Sequence, residues 1–284
     1  MAKDTFFKQT QTINVGGKLL DLTQPKVMGI VNLTPDSFYS GSRFTSETEV
    51  VNQAQKMLLE GAHILDLGAY STRPGASNVS AEEEAKRLLP AIKAIKSNFP
   101  DVILSVDTFR ANIARLTIEA GADMINDVSG GEYDAQMFAT IADLQVPYIL
   151  MHNRGTAQTM HQLNHYNNLM GDIILYFSAK INNLRALGVH DIVLDPGFGF
   201  AKNVAQNFEL LNCFKQLEIL ELPVLAGLSR KSMIWKSLNI KPDDALNGTS
   251  VLNTVALQNG AKILRVHDVK EAVECVKLVS MLTS

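Results

Sequence analysis

Eight short apolar runs recur along the chain, at residues 27–32, 63–68, 102–107, 124–128, 147–152, 192–195, 224–229 and 263–267, and all but the second end at or beside a polar residue. They are rich in Val, Ile and Leu, continuous rather than alternating, and too short for helices, as expected of strands buried on both faces. Between them lie stretches with apolar residues three or four apart, for example 47–59, 81–95, 112–120 and 172–187, closed near their ends by Gly61, Asn98, Gly121 and Gly188. That spacing, with those stops, predicts amphipathic helices. Strands alternating with helices need parallel crossovers, and eight such units on roughly 250 residues predict an α/β fold of the (β/α)8 TIM-barrel type rather than an open sheet.

Ahead of the first unit, residues 10–15, the pair Gly16-Gly17 and residues 18–22 read as two strands joined by a tight turn. This hairpin, within an extension at residues 1–26, is expected to close the barrel bottom. No linker or low-complexity stretch interrupts the chain, so residues 1–284 read as one barrel domain.

The formal net charge of -3 leaves no electrostatic footprint for nucleic acid or an anionic membrane, so any anion site has to be local. No segment approaches the roughly 18 unbroken apolar residues of a membrane span, and the N-terminal residues carry no secretion signal. Cys213 and Cys275 fall in apolar helical patterns with no partner at metal spacing. They read as buried reduced thiols, which suits a cytoplasmic protein.

Asn32, Asp107, Asn126, His152, Asp195, Ser229, Arg265 and His267 stand at the C-terminal ends of the predicted strands, the rim where barrels of this type keep their chemistry. Asp107, Asn126 and Asp195, with Lys231, can hold a planar heterocycle rich in N–H donors and ring acceptors, because carboxylates accept paired hydrogen bonds and an amide does both. Arg73, Arg230, Lys231, Arg265 and His267 form a basic set suited to phosphate. Gly227-Leu-Ser-Arg-Lys-Ser-Met233 follows the seventh strand and would open a helix, whose free backbone N–H groups favour an anion. Ser229 alone would be a simple N-cap, but Arg230 and Lys231 beside it favour the anion reading.

Two loops, residues 32–41 and 70–76, are rich in Gly, Pro, Ser and Thr and read as covers over the rim. Metal-dependent hydrolysis is disfavoured, since there is no His-x-His near the first strand and no carboxylate–histidine cluster at ligand spacing. His63 reads as a packing or surface residue. His152 reads as a residue that positions the rim without touching substrate.

The chain resembles the dihydropteroate synthase family. The resemblance is carried by Met28-Gly-Ile-Val-Asn-Leu-Thr-Pro-Asp-Ser-Phe38, Ser71-Thr-Arg-Pro-Gly75, Ser105-Val-Asp-Thr108, Ile125-Asn-Asp-Val128, Met151-His152, Asp195-Pro-Gly-Phe-Gly-Phe200, Gly227-Leu-Ser-Arg-Lys-Ser232 and Arg265-Val-His-Asp-Val269. These run in the family's order from about Val27 to the C-terminus. The family joins p-aminobenzoate to a dihydropterin pyrophosphate in folate synthesis and releases pyrophosphate. The resemblance implies a pterin pocket of Asp107, Asn126, Asp195, Gly227 and Lys231, walled by Met151 and Phe200. It also implies a pyrophosphate site of Asn32, Arg265 and His267, with Asn32 ligating Mg²⁺.

Further implied are p-aminobenzoate near Ser232 and the Ser229-Arg230 turn, and closure by the first loop with Asp36 and Phe38 and the second with Thr72 and Arg73. The implied reaction is SN1-like: pyrophosphate leaves first, Asp36 and Asp107 stabilise the resulting pterin-methyl cation, and the aniline nitrogen attacks. Asn32, Asp36, Asp107, Lys231, Arg265 and His267 are thus the expected catalytic set. Inhibition by sulfonamides and a homodimer are also implied.

The chain departs from the family at Ala69-Tyr70, where Gly-Glu is common, and at Tyr39-Ser-Gly41, where Ser-Asp-Gly-Gly is usual. Two other readings remain: a corrinoid-linked methyltransferase that binds methyltetrahydrofolate, and a non-catalytic paralogue that kept a pterin pocket. The complete basic set argues against both.

Overall fold

In the computed structural model, which describes residues 10–33, 43–70, 79–156 and 158–283, the chain opens on a hairpin of β1 (Thr12–Val15) and β2 (Lys18–Asp21). Gly16 and Gly17 make the turn at φ +57 and +85. Both positive angles belong to the tight turn that matches strand twist, and glycine adopts them without strain.

The main sheet begins with β3 (Lys26–Asn32). It continues on one side through β4 (Ile64–Gly68), β5 (Ile103–Asp107), β6 (Met124–Asp127), β7 (Tyr148–Met151) and β8 (Ile192–Asp195), and on the other through β10 (Ile263–Val266) to β9 (Leu225–Ala226). All pairings in it are parallel. A parallel bridge between Leu194 and Val224 joins β8 to the residue before β9 and closes the ring. The expected barrel is therefore present, although its seventh strand shortens to two residues. The chain leaves the ladder there because residues beyond Gly227 turn back, with Arg230 at φ +53 and the Lys231 N–H donating to Leu228 O.

Helices α1 (Arg43–Leu59), α2 (Ala81–Asn98), α3 (Ala111–Glu119), α4 (Met137–Leu144), α5 (Leu169–Ala186), α6 (Val204–Asn212), α7 (Ser232–Leu238), α8 (Leu246–Gln258) and α9 (Val269–Thr283) cover the barrel. Ser80 caps α2 by accepting the Glu83 N–H, and three glutamates occupy its first turn, where the helix dipole favours them. Helix α5 starts three residues earlier than the apolar spacing predicts, because the Asn168 side chain caps it by accepting the Gly171 N–H at 3.0 Å. The seventh crossover carries both α7 and α8.

Strand alternation sorts the core into two layers. Met28, Ile64, Met124, Ile149, Val193, Leu225 and Ile263 point inward and form one buried cluster with Ile13, Val15 and Leu22 of the hairpin. Their neighbours Val27, Leu65, Ile125, Leu150, Ile192, Ala226 and Leu264 belong instead to the layer under the helices. The inward set lies toward the N-terminal ends of the strands, so the hairpin closes the barrel bottom as its sequence predicts. Cys275 is buried but Cys213 is half-buried, at the end of α6, so the expectation of two buried thiols holds for one of them. Among the described residues no helix is long and apolar enough to cross a membrane.

Candidate functional site

The same alternation builds the site. Two residues above an inward apolar side chain stands a residue at the open end: Asp66 above Ile64, Asn126 above Met124, Met151 above Ile149, Asp195 above Val193, Gly227 above Leu225 and Arg265 above Ile263. Asp107 lies four above Ile103, and Asn32 four above Met28. Strand register brings Met151 level with Asp195, Asn126 level with Asp107, and Asn32 level with Gly68.

On one side of the mouth, Arg265 links two carboxylates. Its Nε lies 2.5 Å from Asp66 Oδ2 and its Nη2 lies 2.7 Å from Asp107 Oδ2. Asn126 Nδ2 also donates to Asp66 Oδ2, at 3.0 Å, which orients the amide and leaves its oxygen as an acceptor. Burial, reinforced by the Asp66 charge and opposed by Arg265, pushes the Asp107 carboxyl up to about 7. The predicted Asp107, Asn126 and Arg265 thus meet through Asp66, a residue the sequence reading did not select. The available signal was a lone carboxylate on the inward parity of an otherwise apolar strand.

Asn126 Oδ1 and Asp66 Oδ1 are buried without a hydrogen-bond partner. Buried acceptors are normally paired, so these two fit a ligand that brings N–H donors.

Asp195 and Lys231 face each other on the opposite side. Asp195 is buried, and its Oδ1 accepts the Gly197 N–H at 2.8 Å. Burial raises its carboxyl above the usual range, opposed by that hydrogen bond and by Lys231. The Lys231 ammonium lies 4.6 Å from the centre of the Phe200 ring, a cation–π contact. Burial and the nearby Arg265 charge push Lys231 down to about 8. A Cβ on Gly227 would sit 3.9 Å from Asp195 Oδ2. Glycine there keeps the space beside the carboxylate clear.

Ser229 and His267 form a third pair, with Ser229 Oγ 2.9 Å from His267 Nδ1. Ser229 therefore caps no helix; the residue before α7 is Lys231, which makes no side-chain cap. Ser232 opens α7 and is half-buried.

Arg230 is placed differently from its expected role. Its guanidinium forks onto Asp268 at 2.9 and 2.8 Å and donates to the carbonyls of Pro242 and Asp243. Those contacts tie the turn to the β10–α9 junction and the α7–α8 connection and use four of the five guanidinium donors.

His152 also leaves the rim. It follows Met151 on the outward parity and is buried, with its ring 4.8 Å from that of Tyr176 on α5. His63 is exposed. Asn32 is exposed at the end of β3. Asp36, Phe38, Thr72 and Arg73 lie outside the described residues, as do most of both loops. Tyr70, at the base of the second loop, packs edge-on against Phe109 at 5.1 Å and lies beneath the Arg110 guanidinium.

Comparison with known proteins agrees with this geometry. Residues 28–267 match the family described as pterin binding enzyme. The dihydropteroate synthase of Synechocystis sp. is 44% identical over 90% of this chain and 89% of its own. The crystal structure of the Yersinia pestis dihydropteroate synthase with a sulfonamide drug complex superposes with a TM-score of 0.90 at 40% identity, covering 96% of this chain and 99% of that one. The Xanthomonas albilineans dihydropteroate synthase with 4-aminobenzoic acid superposes at 0.89 and 36% identity, over 97% and 99%.

Proposed function

This chain belongs to the pterin-binding enzyme family, and we propose from its site that it is a dihydropteroate synthase of folate synthesis. It condenses 6-hydroxymethyl-7,8-dihydropterin pyrophosphate with p-aminobenzoate and releases pyrophosphate. The observation that carries the reading is the pair of unpartnered buried acceptors, Asp66 Oδ1 and Asn126 Oδ1, between Asp107 and Arg265. A pterin's amino and ring N–H groups supply the missing donors.

In this reading Asp107, Asn126, Asp195 and Lys231 grip the pterin between Met151 and Phe200, with Gly227 leaving room for it. Arg265 and His267 receive the leaving pyrophosphate. The reaction is SN1-like: the C–O bond to pyrophosphate breaks first, and Asp107, with Asp36 of the first loop, stabilises the pterin-methyl cation by fixed negative charge. The aniline nitrogen then bonds to the methylene carbon and loses a proton. Its carboxylate lies by Ser232, near Ser229 and the Arg230 backbone, while Phe38, Thr72 and Arg73 cover the two substrates.

Among the described residues no three His, Cys, Asp or Glu side chains converge on a metal-sized site. A divalent ion here would take one protein oxygen and complete its shell with pyrophosphate and water, which suits Mg²⁺ held by Asn32. Bound there, Mg²⁺ would neutralise charge on the leaving group.

Purified protein supplied with Mg²⁺ and both substrates should form dihydropteroate and pyrophosphate in equal amounts. If pterin binds and neither product appears, the chain is a binding module and the enzyme reading is wrong. Sulfonamides should compete with p-aminobenzoate in the same assay. A homodimer is the expected assembly, and exposed Leu238, Val251 and Leu278 on α7, α8 and α9 offer it apolar surface. A cytoplasmic location fits two free cysteines.

A further inference from the structure

The loop after β8 rests on a buried lysine that none of the assigned roles uses. Lys202 is 7% exposed, and its ammonium donates to Gly197 O at 3.1 Å and to Phe200 O at 3.0 Å. It also lies 3.0 Å from His152 Nδ1. An ammonium has three donors and accepts nothing, so these three partners saturate it. None of the three is a carboxylate, and burying a cation on neutral partners carries a desolvation cost. Burial accordingly pushes Lys202 down to about 7, although the Asp195 charge opposes the shift.

The two carbonyls belong to residues that shape the pterin pocket. Gly197 supplies the N–H that orients Asp195, and the Phe200 ring carries Lys231. The segment between them is also pinned by Gly199 N–H to Asn207 Oδ1 at 2.7 Å, and the residue that follows it by Tyr166 OH to Ala201 O at 3.0 Å. Beneath it, His152 is held by Tyr176, and its backbone N–H donates to Asp195 O at 2.8 Å. A continuous path of contacts thus runs from the outer helical layer through His152 and Lys202 to Asp195 and to the Phe200–Lys231 pair.

We infer that Lys202, seated on His152, is a positioning residue that sets the distance between Asp195 and the Phe200–Lys231 pair, and so the fit of the pterin ring. This rests on the pocket being a pterin site. The lysine touches no substrate; it acts by holding the Gly197 and Phe200 carbonyls at one height.

The test is Lys202→Met, which keeps the buried stem and removes the three donors. Pterin affinity, measured by calorimetry with a pyrophosphate-free pterin, should weaken by about tenfold or more, since small displacements of positioning groups are costly. The KM for p-aminobenzoate should stay within about twofold, because that subsite lies at the Ser229-Arg230 turn and the start of α7. Wild-type pterin affinity in the variant, or equal rises in both constants, would overturn the proposal. Should Lys202→Met fail to fold, Lys202→Gln, which keeps an N–H donor pair without the charge, undergoes the same comparison and should show the same split in smaller measure. If the wild-type enzyme itself neither binds pterin nor makes product, the functional reading fails and this proposal with it. An active wild type beside an unaltered variant sinks the positioning role alone.

Discussion

Ser229 and His267 are joined twice: the serine hydroxyl oxygen accepts the His267 backbone N–H at 3.1 Å and lies 2.9 Å from the ring Nδ1. The hydroxyl can give its hydrogen to Nδ1 or accept one from it, so the pair fixes the orientation of the ring whichever nitrogen carries the proton. Removing the hydroxyl frees the ring to turn. Ser229→Ala should lower kcat/KM by about tenfold, the scale of one orienting hydrogen bond, with little change in melting temperature. Steady-state pyrophosphate release checks this; an unchanged kcat/KM would show that the pair does not orient the ring.

Burial, with the charge of Arg265 behind it, pushes His267 from 6.5 down to about 4. Between those values the unfolded chain binds a proton that the folded state does not, so this residue's contribution to stability falls as pH drops through the window. The urea midpoint of the wild type should therefore fall relative to that of His267→Gln between about pH 6.5 and pH 4. A constant difference across that range would show that the imidazole is not held neutral.

Arg265 is the cation bridging Asp66 and Asp107, at 2.5 and 2.7 Å, in addition to its assigned place at the pyrophosphate. Arg265→Ala leaves two carboxylates together without their countercharge and should destabilise the fold by about 3–5 kcal/mol. It should also weaken a phosphate-free pterin, because Asp107 loses its brace. Denaturant unfolding and pterin titration separate the two effects. Full pterin affinity in a stable variant would mean that Arg265 serves the pyrophosphate alone.

Gly197 sits at φ +70, and a Cβ placed on it would fall 2.1 Å from the His152 carbonyl oxygen. Backbone cannot yield as a flexible side chain can. Gly197→Ala should push the loop off Asp195 and reduce pterin affinity by at least about tenfold, whereas Gly188→Ala, at a helix end with nothing within 4 Å, should leave affinity unchanged. Equal pterin dissociation constants for the two variants would contradict this account of the turn.

Leu22 is fully buried where the hairpin closes the barrel, in contact with the inward cluster. Leu22→Ala should cost about 2–5 kcal/mol and lower the melting temperature while leaving both KM values near wild type, because the cavity opens at the end remote from the rim. A silent substitution would show the hairpin to be an ornament rather than a plug.

Much of this site is readable from single residues because strand parity and strand ends are local properties. Asp107 and Asp195 stand where apolar runs stop, Asn126 and Arg265 lie one residue before the end of theirs, and those ends are the rim of the barrel. Asp66 is harder to see because its run continues through Leu67 and Gly68 to Ala69 with no polar residue at its end, whereas Arg265 is followed within two residues by His267. Arg230 shows the opposite case. It is next to Lys231 in sequence, but its φ of +53 turns its side chain to Asp268 while Lys231 enters the pocket. Adjacent residues share a locus but not a direction.

The sequence by itself determined the order of strands and helices, the parity that divides inward from outward side chains, and the family motifs at the rim. Period, length and turn chemistry act within a few residues and need no knowledge of the rest of the chain. Only the tertiary structure decided that Arg265 crosses β3 to reach Asp66 and Asp107, that Ser229 serves His267 instead of a helix, and that Lys202 seats on His152 beneath the Asp195 loop. These are contacts between strands and loops far apart in sequence. They are set by closure of the ring, which brings its first and last strands together and places buried charges within reach of one another.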